Sequence, residues 1–256
     1  MNKKLKILHL LCLFLLSAGY VKAEMKTISL STGEWPPYVS EHLHANGVVS
    51  ELITKIFKSV EIKAESNFYP WNRALLSVKK GGDEGSYPWR KQPDREEFGA
   101  FSDVIISTDM TFIYYKKHFK GKEFRDPLEV KPYVVGVPFG YAQGEDLRKL
   151  GYRCQSIPSS ANGIFMLMKG NISFLIETRA VAMYLIRQHL AEHEAEFGTL
   201  HSGFPPLLLR LMISKKIPEY KILLERFNKG LARFKASGEY DRIMNRHGFA
   251  VYGQNK

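Results

Sequence analysis

Gly33-Glu34-Trp35-Pro36-Pro37-Tyr38 is the stretch on which the reading of this chain turns. An apolar, β-like run at 28–30 leads into it, and an amphipathic segment at 48–60 follows after a short loop. Two prolines hold φ near about −65° and restrict the residue before each. A Trp and a Tyr are therefore presented from a stiff, non-helical turn at a strand end. Such a turn either packs under its own loop or forms one wall of a cleft, and the rest of the chain decides between these.

Working outward, Val48, Val49, Leu52, Ile53, Ile56 and Phe57 recur at helical spacing, with Glu51, Lys55 and Lys58 on the opposite face. Residues 62–68 alternate as a strand. Pro70-Trp71-Asn72-Arg73 opens a helix that Gly81-Gly82 ends. A loop or strand at 83–89, the charged Asp94-Arg95-Glu96-Glu97 and the β-forming Thr111-Phe112-Ile113-Tyr114-Tyr115 follow. A second alternation begins with a strand at 133–137 and a turn, Pro138-Phe139-Gly140-Tyr141. Helices are expected at 145–150 and, capped by Ser159 or Ser160, through 164–167. A strand at 172–176, a helix at 180–189, a buried strand at 207–213 and two closing helices complete the chain. Two rounds of β/α alternation favour α/β lobes with mostly parallel sheets.

The ends and the composition set bounds. Lys3, Lys4 and Lys6 precede an apolar run at 7–20, and Val21-Lys22-Ala23 fits a processing site, so 1–23 reads as a cleaved signal peptide. Its removal takes four lysines from a formal net charge of +11 and leaves about +7. The basic residues are scattered, which reads as a solvated surface, and export argues against a nucleic-acid partner. Cys154 is then the one cysteine left, so no internal disulfide forms, and a small buried hydrophobe is its simplest role.

Few chemical motifs are present. His189 and His193 stand four apart without a His-Glu-x-x-His pattern, and Gly140-Tyr141-Ala142-Gln143-Gly144 lacks the Lys-Ser/Thr end of a phosphate loop. No metal or cofactor is implied. Aromatic and basic residues instead collect after strands: Trp35 and Tyr38, then Trp71 and Arg73, then Tyr87, Trp89, Arg90 and Arg95, then Tyr141. Ligands of parallel α/β sheets bind at the carboxyl ends of strands, where rings exclude water and an Arg grips a carboxylate with two hydrogen bonds.

On these residues the chain resembles the periplasmic solute-binding proteins of the amino-acid ABC transporter type, over nearly all of the segment after the signal. The opening turn resembles that family's aromatic-x-Pro-aromatic segment, and Pro70-Trp71 its second helix start. Arg95 and Phe101-Ser102 match the spacing of its most recognisable stretch, whose Arg clamps the ligand carboxylate. Val135-Gly136-Val137 and Gly170-Asn171-Ile172 resemble its second-lobe motifs. Four features depart from the pattern, the first being that Tyr87, Pro88 and Arg90 replace the hydroxyls that line the family's strand. Gln92 replaces the usual Thr, Gly140-Tyr141-Ala142 replaces a hydroxyl-bearing turn, and the acid that meets an α-amino group falls at Thr178 with Glu177 beside it.

The resemblance implies an α/β, two-lobed type II periplasmic-binding-protein fold. Each lobe is a mostly parallel sheet flanked by helices, and two crossing strands join them. Residues 24–112 and 208–256 would form one lobe and 113–207 the other. The implied function is binding of a small polar solute, an amino acid or related carboxylate, for an ABC permease. The implied site holds Trp35, Trp71, Tyr87, Arg90, Arg95, Tyr141 and Glu177 or Thr178. A monomer in the periplasm, without enzymatic activity, goes with it. The alternatives are a dehydratase-like enzyme on the same fold, with Glu177 as its acid or base, and a ligand-sensing protein docked to a membrane sensor.

Overall fold

The computed structural model of the chain describes residues 25–141 and 143–249. The signal peptide read at 1–23 and the turn residue Ala142 lie outside the described residues.

The first sheet is built from β1 (Lys26–Thr32), β2 (Ile62–Phe68), β3 (Gly85–Arg90), β4 (Gly99–Phe101), β5 (Ile106–Thr108) and β11 (Leu207–Ser214). Its order is β2-β1-β3-β11-β4, with β5 also paired to β11. The second sheet holds β6 (Met110–Tyr115), β7 (Val134–Pro138), β8 (Arg153–Ile157), β9 (Phe174–Thr178) and β10 (Phe197–His201) in the order β10-β6-β9-β7-β8. Both sheets are mixed. Strands joined through helices run parallel (β1 with β2 and β3, β7 with β8 and β9). The strands next to the crossings run antiparallel to their neighbours, because a chain that enters a sheet from the other lobe arrives from the opposite end.

Sheet membership changes at Asp109, between β5 and β6, and again between His201 and Leu207. The ladder of β6 with β9 already starts at the Met110–Thr178 pair, so the second lobe begins there rather than at 113, and the first lobe resumes at Leu207 rather than at 208.

Four strands, β4, β5, β8 and β10, go beyond the strands expected from the sequence, and the last two are edges of the second sheet. β8 is polar and mostly exposed, so it carries no apolar period. β10 contains Gly198, where an added Cβ would lie 2.2 Å from the Tyr114 ring. Only a glycine lets that aromatic lie flat across the strand.

One apolar cluster joins residues of both lobes, and a second lies within the second lobe. In the first, helix α1 (Val48–Lys58) lays Leu52, Ile53, Ile56 and Phe57 on Ile28 and Leu30, as its helical spacing requires. The returning C-terminal helices α7 (Tyr220–Ala236) and α8 (Glu239–Arg246) close over it. Phe57 meets Phe227 with ring centroids 4.9 Å apart. The second cluster is rich in rings. Phe174 is surrounded by Phe112, Tyr114, Phe119, Phe124 and Tyr133 within 6.2 Å, each pair worth about 0.5–1.5 kcal/mol beyond its burial.

A polar staple ties the chain end to α1. Glu51, buried, accepts from Arg246 and from His247 Nε2 at 2.7 Å, and Lys55 Nζ lies 3.3 Å away. Burial alone would raise the Glu51 carboxyl, but the hydrogen bonds from His247, Arg246 and Lys55 outweigh it and hold the value at about 2. A group depressed in the folded state adds stability above its unfolded value, near 4.5, and loses it as pH falls through about 2. Glu51→Gln is expected to cost about 2 kcal/mol at neutral pH and to flatten this acid limb. Urea unfolding from neutral pH down to acid measures both, and parallel curves for the two proteins would contradict the assignment.

Candidate functional site

The site is assembled where the carboxyl ends of the strands of both lobes face each other. From the first lobe comes the Trp35 turn. The Trp35 amide donates to the Val39 carbonyl at 2.8 Å, and the amides of Tyr38 and Val39 donate back to the Trp35 carbonyl at 3.0 and 3.1 Å. The Tyr38 ring is buried beneath Trp35, with centroids 4.4 Å apart, and packs on Phe249 at 5.1 Å. Its hydroxyl bonds Thr108 Oγ1 at 2.7 Å, next to the Asp109 crossing. Tyr38 is thus the support under the turn, and Trp35 is left half-buried above it.

Trp71 opens helix α2 (Trp71–Lys80). Its indole nitrogen donates to the Glu34 carbonyl at 3.2 Å, and its ring stands edge-on to Trp89 with centroids 5.1 Å apart. Gly33 makes this approach possible, since a Cβ there would lie 2.6 Å from two Trp71 ring atoms.

Arg90 ends β3 and reaches the other lobe, with Nη1 3.7 Å from Asp146 Oδ2 on helix α4 (Gln143–Lys149). Both partners are more than a third exposed, so this pair contributes at most about 1 kcal/mol, but it shows which way the strand end faces. Arg95 lies on the short helix α3 (Pro93–Glu96), started by Pro93. Its Nη1 donates to the Arg90 carbonyl at 3.1 Å, and its guanidinium lies over the Trp89 ring, 4.7 Å from the centroid. Its Nε is buried and has no protein partner. Burial lowers the Arg95 pKa; Asp94 opposes and Arg90 reinforces that shift.

The second lobe contributes Tyr141 and Glu177. Trp35 Nε1 donates to the Tyr141 hydroxyl at 3.0 Å, so the two lobes touch directly. The same hydroxyl donates to Glu177 Oε2 at 2.8 Å. Glu177 is fully buried near the end of β9 and also accepts from the Ser160 hydroxyl, at the start of helix α5 (Ser160–Met168), and, through Oε1, from the Thr178 amide at 2.6 Å. Burial raises the Glu177 pKa, opposed by the hydrogen bonds from Ser160, Thr178, Tyr141 and Trp35. Burial, then the Glu177 charge, pushes the Tyr141 hydroxyl well above its ordinary value. Tyr141 is therefore a proton donor in this cluster and never a phenolate at neutral pH.

The structure brings Trp35, Tyr141 and Glu177 together and sets Arg90 and Arg95 side by side on the facing wall. It does not bring Tyr87 there. Tyr87 is fully buried inside the first lobe, its hydroxyl 2.6 Å from Ser66 and 3.1 Å from Ser50 on α1. On β3 its side chain turns toward α1, whereas Trp89 turns toward α2, joining Ala74, Val78 and Met212. Thr178 is also committed: its hydroxyl accepts from the Val181 amide at 3.3 Å and caps helix α6 (Arg179–His189). Ser160 and Asp146 were missed in the sequence. Each follows a helix start, which is ordinary capping composition, and only the fold shows what they face.

Among the described residues, no group of three His, Cys, Asp or Glu side chains is arranged to hold a metal ion. No helix among them is long and apolar enough to cross a membrane.

Solved structures share this architecture. A histidine kinase sensor domain with similarity to periplasmic binding proteins superposes with a TM-score of 0.73 at 16% identity, over 87% of this chain and 96% of that one. An ancestral arginine-binding protein bound to glutamine gives 0.70 at 20% identity, over 87% and 98%. An amino acid ABC transporter substrate-binding protein from Streptococcus pneumoniae bound to L-arginine gives 0.70 at 18% identity, over 86% and 94%. At these identities the likeness shows the fold, a two-lobed type II binding protein. No curated protein matches the chain. A family model does match, over residues 28–250, a span that takes in strands of both lobes. The chain therefore belongs to the bacterial extracellular solute-binding proteins, family 3.

Proposed function

We propose that the chain binds a small carboxylate-bearing solute between its lobes and delivers it to an ABC transporter permease. The observation that carries this reading is Arg95. A guanidinium stacked on Trp89, with a buried Nε that no protein atom accepts, sits beside Arg90 on a wall that faces the other lobe. A planar carboxylate is the group that fits a fork of this kind. Trp35 and Trp71 are the walls that exclude water, and Tyr141, backed by the buried Glu177, is the facing floor. Solute binding by the family supports the reading, as do the transporter-associated structural neighbours. Lobe closure is expected on ligand binding, favoured only by contacts that are better in the closed state.

The test is a thermal-shift screen of amino acids, dicarboxylates and small peptides, followed by calorimetry. A ligand at a hundred times its Kd stabilises by about 2.7 kcal/mol, with one site per chain and no turnover. A panel without any shift sinks the reading, and turnover of a bound acid would transfer it to the enzymatic alternative. The histidine kinase sensor domain keeps sensing as the second partner role. Stimulation of a permease's ATPase by the loaded protein favours delivery over sensing.

A further inference from the structure

Any ammonium-bearing ligand that enters a closed, water-poor cleft needs an anionic acceptor there, because an unpaired buried charge is expensive. The buried carboxylate at the lobe interface is Glu177. A carboxylate offers about four acceptor positions. Here Oε2 takes the Ser160 and Tyr141 hydroxyls and Oε1 takes the Thr178 amide. Trp35 adds a further favourable N–H near the same group. Glu177 has no exposed surface left, so an ammonium reaches it only by displacing one of these donors.

The neighbouring groups do not replace it. Thr178 caps α6 and carries no charge. Asp146 faces Arg90 across the lobes. Glu34 is exposed and accepts from the Glu41 amide at 2.9 Å. Asp109 lies exposed on the crossing segment, so it is not a buried acceptor. The opposite wall carries two like charges, with the Arg95 guanidinium bonded to the Arg90 carbonyl and the Arg90 guanidinium near Asp146.

We infer that the cleft takes small carboxylic acids that lack an α-ammonium, and that Tyr141, by occupying Glu177, is the residue that sets this preference. The inference rests on the reading of the cleft as a carboxylate site. Tyr141 acts through geometry. Its hydroxyl fills the position in which an ammonium would have to sit, held there by Trp35 on one side and Glu177 on the other.

The experiment compares ligands that differ only in the ammonium: L-glutamate against glutarate, L-leucine against isocaproate, L-phenylalanine against hydrocinnamate. Each is titrated by calorimetry into the processed protein and into its Tyr141→Phe form. The deaminated member of at least one pair is expected to bind about tenfold or more tightly than its amino acid. In Tyr141→Phe an acceptor on Glu177 is released, and that ratio is expected to fall toward unity or invert. Equal or tighter binding of the amino acid by the unaltered protein overturns the inference and leaves the carboxylate reading standing. A ratio unchanged by Tyr141→Phe removes Tyr141 from the discrimination. No binding in any pair overturns the carboxylate reading, and this inference with it.

Discussion

Arg95→Ala is expected to weaken binding of carboxylate solutes by about thirtyfold or more while leaving the fold in place. The guanidinium is held from below by the Trp89 ring and from one side by the Arg90 carbonyl, so its orientation is set before a ligand arrives. One of its nitrogens is spent on that carbonyl, and the buried Nε is left without an acceptor. A ligand carboxylate that supplies this acceptor gains a charge-assisted pair away from bulk water. Truncating one partner of such a pair costs about 2–5 kcal/mol, or roughly thirtyfold to several thousandfold in Kd. Arg95→Lys keeps the charge but not the planar fork, so it should fall between the two. The loss of stacking on Trp89 costs about 0.5–2 kcal/mol of stability, within reach of a control by circular dichroism and urea unfolding. Calorimetry with a ligand found in the screen decides the matter, and an affinity that does not move takes Arg95 out of the site.

Glu177→Ala should carry the largest stability cost at the interface. It leaves the Tyr141 and Ser160 hydroxyls and the Thr178 amide without their acceptor, and it opens a space inside a fully buried position. Buried donors left unmade and the empty volume together cost about 3–5 kcal/mol, to be read as a lower urea midpoint with an unchanged slope. Glu177→Gln retains the size and one acceptor and isolates the charge. In the unaltered protein, burial raises the Glu177 pKa in the folded state. The folded chain then holds this proton to higher pH than the unfolded chain does. The contribution is fully present below the unfolded value, near 4.5, and declines as pH rises through the folded value. Glu177→Gln cannot titrate and should remove that decline. Glu51 works in the opposite sense and at about 2, so the two effects separate along the pH axis. A Glu177→Gln protein with the same pH slope as the parent would show that the carboxylate is not the group responsible.

How much of the site was legible depends on the kind of signal each residue carries. Arg95 and Trp71 stand near the starts of helices that proline announces, so position along the chain already put them at strand ends. Tyr87 had the same credentials, an aromatic after a glycine-rich turn, yet its side chain faces the α1 side of the sheet and bonds Ser50 and Ser66. A strand presents successive side chains to opposite faces, and a uniformly buried strand such as β3 has no polar alternation to tell the faces apart. Glu177 and Thr178 were left as alternatives for the same reason. The structure separates them: one hydroxyl caps a helix and one carboxylate faces the other lobe.

By itself the sequence determined the local states: apolar residues at helical or strand period, prolines and glycines at the breaks, and a turn that holds Trp35 and Tyr38 off the helix. Those are properties of neighbours along the chain, so they survive without knowledge of the fold. Through the matched span from 28 to 250 the sequence also carried the family, and with it two lobes. Tertiary structure alone decided that Trp35 meets Tyr141 across 106 residues and that Tyr141 meets Glu177 across 36. It also decided that Tyr38 lies beneath the turn as support. Contacts at such separations depend on how two packed lobes are set against each other at Asp109 and at the 202–206 return. No local period records that arrangement.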